Sequence, residues 1–279
     1  MLVGTLRHVG TEPWDLARRA ASAAGVELRA LTTNEDADRI LGVMIATRGE
    51  HQLVPREMIR ALADSGNAPF GAFVGARMVG YVLGWAGVDD RDGLHVHSHM
   101  LAALPDRQHR GVGFALKLAQ RAQALDQGAR VARWTFDPLV ARNAYLNLHK
   151  LGAIADRFER DFYGEMTDTV NRGERTDRLV VRWDLEREPG PRAIPADAVI
   201  VLAREGDRPG AVRPAEGGAL LVEVPRDLAE LRARDPTMGA AWREASALAI
   251  EACLAAGMVA AAFDRGRSAY LFALAEVVA

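Results

Sequence analysis

Apolar and polar positions along the chain follow two spacings in turn, and glycines and prolines mark where one gives way to the other. Apolar residues three or four positions apart predict helices, and apolar or alternating runs bounded by turn residues predict strands. Helices are expected over residues 14–24, 34–47, 55–64, 112–125, 139–151 and 238–255, with a short one opening at Pro225. Strands are expected over residues 26–31, 69–74, 78–85, 93–104, 129–136, 178–185, 199–203, 219–224, 258–263 and 268–274. This mixture of elements predicts an α+β fold.

A charged stretch with three prolines, residues 186–195, interrupts the pattern and is typical of a linker. We therefore predict three segments: an N-terminal helical extension over 1–25, a main domain over 26–188, and a smaller C-terminal α+β accessory domain over 196–279. The third segment shows no phosphate loop or catalytic cluster. Its role as a lid, a substrate-side wall or a dimerisation surface stays open, and a homodimer is one option.

Composition narrows the functional classes. The 279 residues are 49% hydrophobic and 26% charged, and the net charge of −2 gives no sign of a nucleic-acid-binding protein. The single cysteine, Cys253, cannot form an internal disulfide, which favours a reducing, cytoplasmic location. No apolar run reaches the roughly 18 residues of a membrane-spanning helix, so no membrane partner is expected.

The stretch most indicative of chemistry is Gln108-His109-Arg110-Gly111-Val112-Gly113, which lies between a predicted strand and a predicted helix. Two glycines one residue apart let consecutive backbone N–H groups point into one small space. The start of the following helix adds a partial positive charge, so the turn suits an anion such as a pyrophosphate. A G-x-G pattern by itself also fits a tight strand-to-helix turn.

The order strand, Gln-x-x-Gly-x-Gly, helix, strand, helix, Gly resembles the GNAT superfamily of acyl-CoA-dependent N-acyltransferases. That family's phosphate loop is written [QR]-x-x-G-x-[GA], and residues 108–113 match every fixed position. Its next helix ends in a Leu-Gly step, matched by Lys150-Leu151-Gly152-Ala153. The resemblance covers roughly residues 26–185. Within the superfamily, the chain is similar to a branch of large members with a C-terminal extension.

This resemblance implies a mixed, splayed central sheet flanked by helices, with the pantetheine arm of acetyl-CoA or another acyl-CoA hydrogen-bonded to backbone groups of one strand. Those groups would be near Met100, Leu101, Ala102 and Leu104. The pyrophosphate would meet Gln108, His109, Arg110, Gly111, Val112, Gly113 and Phe114, and Asn143 could bind the thioester or a water. No metal is implied.

Acyl transfer to an amine needs a base for the proton of the amine and a donor for the oxyanion. His95, His97 and His99 alternate on one predicted strand and therefore face the same side. We predict that His97 or His99 contacts substrate. A metal site and purely structural histidines are the alternatives, although no carboxylate or cysteine at ligand spacing supports a metal.

The chain departs from the family pattern at the general acid. Many members carry a tyrosine four residues before the glycine that ends the second helix, and Leu148 stands there. Tyr145, one turn earlier, and Asn143 become the candidate catalytic partners, with Tyr163 as another donor. The thiolate is already a tolerable leaving group near neutral pH, so acyl transfer is not excluded.

Two flanking groups are weaker candidates. Asp137, which ends a strand, is predicted to cap a turn, although it could bind a substrate amine. Arg142, Arg175 or Arg178 could hold a carboxylate of the acceptor or acyl group, or could be ordinary exposed arginines.

The resemblance thus implies an N-acyltransferase that moves an acetyl or succinyl group to a small amine, perhaps an amino acid. The alternative is a non-catalytic acyl-CoA-binding sensor that uses its C-terminal segment to engage a partner.

Overall fold

The computed structural model describes residues 12–51, 53–108, 110–166 and 173–278. The chain divides into two compact units. Unit 1 contains the described residues of 12–133 and 184–187, and unit 2 contains those of 134–166, 173–183 and 188–278. These bounds differ from those of the three predicted segments. That the C-terminal segment folds as a separate domain stays a prediction.

Unit 1 is a mixed sheet with helices. Its elements are α1 (Glu12–Ala24), β1 (Glu27–Ala30), α2 (Asn34–Arg48), α3 (Arg56–Asp64), β2 (Phe70–Val74), β3 (Arg77–Asp89), β4 (Gly93–Ala103), α4 (Val112–Asp126) and the first half of β5 (Val131–Phe136). Strands β1 to β4 pair antiparallel in sequence order, and β4 pairs parallel with residues 131–133 of β5.

Local signals explain these elements. The side chain of Thr33 accepts a hydrogen bond from the N–H of Asp36, and the carboxylate of Asp36 accepts one from the N–H of Thr33. This capping box starts α2 as the sequence indicated. Helix α4 packs against β2, β3 and β4 and buries almost every residue between Ala115 and Leu125. It thus supplies much of the core of unit 1 and holds its own N-terminus against the end of β4.

Unit 2 contains the last three residues of β5 and the elements α5 (Ala141–Ala144), β6 (Ile154–Glu159), β7 (Arg178–Asp184), β8 (Val199–Leu202), β9 (Arg204–Glu205), β10 (Arg208–Pro209), β11 (Ala219–Glu223), α6 (Leu228–Arg234), α7 (Pro236–Ala255), β12 (Met258–Asp264), β13 (Ala269–Leu274) and α8 (Ala275–Val278). Its strands follow the order β7-β6-β12-β13-β11-β8, and only the β11–β8 pair is parallel among the pairings described. Helix α7 packs against β6, β8, β11 and β12.

The α+β class is confirmed, and several element predictions need correction. The helix expected over 139–151 is an α-helical turn followed by a π-helix, Tyr145–Lys150. The helix expected at Pro225 begins at Leu228, because Asp227 caps it through the N–H of Glu230. Strand β6 was not predicted at all. No helix in the described part of the chain is long and apolar enough to cross a membrane.

Candidate functional site

The turn between β4 and α4 presents an open helix N-terminus. Gly111 is the N-cap of α4 and has φ of 86°, in the left-handed region that glycine adopts without strain. Among the residues that the structure describes, no side chain caps this end, and the first turn contains no acidic residue. A helix leaves its first N–H groups without intrahelical partners, so those of Val112 and Gly113 are suited to an anion.

The residues around this turn are placed as follows. A short 3₁₀ turn, Pro105–Arg107, separates it from β4. The amide of Gln108 donates to the carbonyl oxygen of Ala103 at 3.4 Å, and Arg110 is exposed. His109, which was predicted to take part, lies outside the described residues.

The strand predicted to hold the pantetheine arm is β4. Its parallel ladder with β5 joins His95, Val96 and His97 to residues 131–133, and Met100 to Ala103 continue past that ladder. The side chains of Met100 and Leu104 are buried, and those of Leu101 and Ala102 are half-buried. The N–H of Leu104 donates to the carbonyl oxygen of Val79 at 2.9 Å.

Strand β4 bulges at His99. Leu83 of β3 pairs with Met100, but the next residue, Gly84, pairs with Ser98, so His99 is the extra residue. A Cβ on Gly84 would lie 2.5 Å from the carbonyl oxygen of His97, so glycine lets β3 approach the bulge. The position of this bulge at His99 becomes visible only in the register of the two strands.

Two of the three histidines share an aromatic cluster. The rings of His97 and His99 lie 5.8 Å apart, and Trp85 lies 4.9 Å from the first and 5.0 Å from the second. His97 is half-buried and His99 is exposed. Sequence reasoning missed Trp85, although its pairing with His97 follows from the register of the β3–β4 hairpin.

His95 is occupied differently. It is buried, its Nδ1 lies 2.9 Å from the carbonyl oxygen of Gly93, and Arg133 donates to its Nε2 at 2.8 Å. Arg133 also binds Asp89 and Asp92 at the end of the hairpin. These contacts give His95 a structural role in this hairpin.

Loss of hydration disfavours the charged form of both clustered imidazoles. Together with the nearby charges of His99 and Lys117, it lowers the pKa of His97 to about 4. His99 is exposed as a residue, but its neighbours partly desolvate its ring, and this loss of hydration, followed by the charge of Arg48, lowers the pKa of His99. Both rings are therefore neutral near pH 7 and can accept a proton.

A buried lysine lies behind this strand. Lys117 of α4 is 2% exposed, and its Nζ donates to Oγ of Ser98, between the two clustered histidines in sequence, at 2.7 Å. Burial holds the pKa of Lys117 well below its ordinary value. Sequence reasoning did not single it out. The one available signal was its position among apolar residues on every side of α4.

The remaining catalytic candidates belong to unit 2. Asn143 is half-buried in α5. Tyr145 opens the π-helix and stacks on His149 with ring centroids 4.6 Å apart, and Arg265 lies 5.3 Å over its ring. His97 and His99 belong to unit 1, so the structure places the four candidates as one pair in each unit.

Several flanking candidates have structural partners in unit 2. Asp137 caps a turn as predicted, accepting from the N–H of Leu139 at 2.9 Å, and it also binds the buried Arg243. The hydroxyl of Tyr163 lies 3.0 Å from Oγ1 of Thr135.

The predicted carboxylate-binding arginines are also engaged. Arg175 pairs with Asp177 and Glu244, and Arg178 donates to the carbonyl oxygen of Asp177. Arg142 is exposed. Within the described residues no group of three histidine, cysteine or acidic side chains could hold a metal ion.

Comparison with solved structures shows similarity to GNAT-family proteins. A GNAT-family protein from Desulfovibrio desulfuricans is 20% identical over 57% of this chain and 99% of its own, with a TM-score of 0.42. An acetyltransferase of the GNAT family from Streptococcus pneumoniae is 14% identical over 56% of this chain and 98% of its own, at 0.46. The protein yncA from Salmonella typhimurium, solved with its cofactor acetyl-CoA, is 16% identical over 60% and 98%, at 0.47. No model of a known protein family matches the chain, and no curated protein matches it in sequence.

Proposed function

We propose that this chain is an acyl-CoA-dependent N-acyltransferase that transfers an acetyl or succinyl group to a small amine. The observation that carries the proposal is the uncapped N-terminus of α4 behind the left-handed Gly111, within a Gln-x-x-Gly-x-Gly sequence. Backbone N–H groups and the helix dipole there suit the pyrophosphate of CoA. The bulge at His99 and the continuation of β4 to Ala103 supply the strand expected to hold the pantetheine arm.

In this proposal the imidazoles of His97 and His99, beside Trp85, accept the proton of the attacking amine. The amine nitrogen attacks the thioester carbonyl carbon, the C–S bond breaks, and the sulfur leaves as a thiolate. A neutral His97 or His99 accepts the proton lost by the nitrogen. Because burial lowers the pKa of His97 to about 4, its protonation should limit the rate only in acid, well below the ordinary range of imidazole.

Binding of CoA to the loop is tested by a matched pair of glycine variants. Gly111 and Gly128 flank the two ends of α4 and have φ of 86° and 84°, so valine strains the backbone in both. Gly111→Val turns the first N–H groups away from the phosphates and should weaken CoA binding at least tenfold by calorimetric titration. Gly128→Val should bind CoA like the parent. A folded Gly111→Val protein of unchanged affinity would rule the loop out.

A non-catalytic acyl-CoA sensor is the second candidate. It is favoured by the fully buried Leu148, which stands where many family members carry the tyrosine. It is also favoured by the ring of Tyr145, the nearest alternative tyrosine, which is engaged in stacking on His149. A matrix of acyl-CoA donors and amine acceptors, read by thiol release, separates the two. Turnover that falls in His97→Ala or His99→Ala while CoA affinity is kept supports an enzyme. CoA binding without turnover for any pair supports the sensor.

A further inference from the structure

A polar pair is buried between helix α4 and strand β4 of unit 1. Ser98 is 4% exposed, and its Oγ accepts the hydrogen bond from Nζ of the equally buried Lys117. The neighbours of this lysine along the helix, Leu116 and Leu118, are completely buried. Lysine is almost never fully buried unless it is paired, and an apolar side chain here would fill the core without the cost of desolvating an amine. The pair therefore calls for a reason other than packing.

The two faces of β4 have different neighbours at this point. Ser98 faces α4, where its hydroxyl meets Lys117. The rings of His97 and His99 instead lie against Trp85 of β3. Successive side chains of a strand point to opposite faces, so a strand that directs Ser98 towards α4 directs His97 away from it. The placement of the serine and the placement of the imidazoles are thus two consequences of one register.

The bulge makes this register easy to lose. His99 is the extra residue of β4, between Ser98 and Met100, which both pair with β3. If the extra residue moved to a neighbouring position, the side chains between the two positions would turn to the other face, because the side-chain period of a strand is two. The hydrogen bond from Lys117 opposes such a shift, since a serine turned away from α4 would take this acceptor from a buried amine.

We infer that Lys117 is a positioning residue that acts through Ser98 and fixes the register of β4. That register holds the imidazoles of His97 and His99 beside Trp85. Buried polar groups that specify one register at a cost in stability are known from coiled coils. The consequence for turnover rests on the proposed function, whereas the placement of the rings does not. Turnover should be sensitive to it, because a misplacement of about 1 Å can cost on the order of 10²-fold in rate.

Ring-current shifts measure the placement of the two imidazoles. In the full chain labelled with ¹³C-histidine, His97→Gln and His99→Gln assign the two sets of ring-proton resonances, and Trp85→Leu gives the displacement that the indole causes. Ser98→Ala and Lys117→Met each break the buried hydrogen bond, and the double variant removes both partners together. We expect each of these three variants to move both sets of resonances by at least half of the displacement seen in Trp85→Leu.

Arg121→Met is the matched control, because it removes another buried cation of α4. Arg121 is 7% exposed and donates to the carbonyl oxygen of Leu185, outside β4, so both sets of histidine resonances should stay in place whatever the loss of stability. Thermal unfolding checks that each variant is folded, and Ser98→Ala, the mildest change, decides the matter if the lysine variants are not. Unchanged histidine resonances in the folded variants would refute the positioning role and leave Lys117 a packing residue.

Turnover separates this role from the proposed function. For any donor and acceptor pair that is turned over, Lys117→Met should lower kcat at least tenfold and leave the affinity for CoA within twofold. Added to the double variant His97→Gln and His99→Gln, it should lower kcat no further, since the lysine acts through those rings; a further tenfold loss would overturn the assignment. If no pair is turned over, the proposed acyl transfer fails, and the histidine resonances still decide the role of Lys117.

Discussion

Acid should destabilise this protein partly through one imidazole, that of His97. Burial lowers the pKa of His97 to about 4, from an ordinary value of 6.5. Between those values the unfolded chain binds a proton that the folded chain does not, so stability is fully present above about pH 6.5 and falls as the pH drops towards 4. From pH 7 to pH 5 the loss from this group is about 2 kcal/mol, since each pKa unit corresponds to about 1.4 kcal/mol.

The perturbation is His97→Gln, which keeps a polar side chain beside Trp85 and His99 and removes the titration. The variant loses ring contacts at every pH, so the informative quantity is the difference between its unfolding free energies at the two pH values. Urea unfolding at pH 7 and pH 5 should show that difference to be about 2 kcal/mol smaller in the variant than in the parent. His51→Gln, at an exposed position after α2, is the control and should leave the parent's difference unchanged.

The reasoning fails if His97→Gln keeps the parent's full difference within about 0.5 kcal/mol, the usual error of additivity. A titration of the His97 ring followed by proton NMR gives an independent reading. A midpoint near 6.5 in the folded protein would mean that the ring is hydrated and that its burial does not control its charge. Either result would also mean that any turnover should be lost in acid near the ordinary pKa of imidazole, rather than near the value of about 4 expected for His97.

Three further outcomes are expected. Arg243→Met leaves the partly buried carboxylate of Asp137 without its guanidinium, and Glu174 keeps only its pair with Arg232, so the variant should cost roughly 3–5 kcal/mol in urea unfolding. Arg18→Met, which breaks an exposed pair, should cost under about 1 kcal/mol. Gly84→Ala forces a Cβ against the bulge and should lower the free energy of unfolding by about 1–3 kcal/mol. Gly42→Ala, whose Cβ would lie in open space within a helix, should leave that free energy unchanged or raise it. Equal effects of the two substitutions would refute the packing argument. Limited proteolysis should cut first between residues 186 and 195, a stretch without a buried residue, and a first cut elsewhere would contradict this prediction.

Local signals in the sequence were enough to predict the β4–α4 turn. Pro105 ends the strand, Gly111 allows the left-handed N-cap, and the apolar spacing of α4 begins directly afterwards. These signals lie within a few residues of the structure that they determine. The α+β class followed in the same way, because most helices and strands carry their own period and their own stops.

Features set by distant partners were not predictable. The bulge at His99 depends on which β3 residue pairs with which β4 residue, and the contact of Trp85 with both imidazoles depends on the same register. The π-helix at Tyr145 keeps an apolar spacing close to that of an α-helix, so its pattern predicted an ordinary helix. The ion pair of Arg243 with Asp137 joins residues far apart in sequence, and sequence therefore showed only a capping aspartate.

The burial of Lys117 also makes the chain convenient for chemical labelling. The sequence contains two lysines, and the other is Lys150 at the end of the π-helix. An amine-reactive dye needs access to an ε-amino group, and in the folded protein Lys117 offers 2% of its surface. Among side chains the dye should therefore attach at Lys150, whose Nζ lies 6.0 Å over the ring of Tyr145. A fluorophore at Lys150 would sit beside one of the proposed catalytic residues and would report ligand binding without any engineered cysteine.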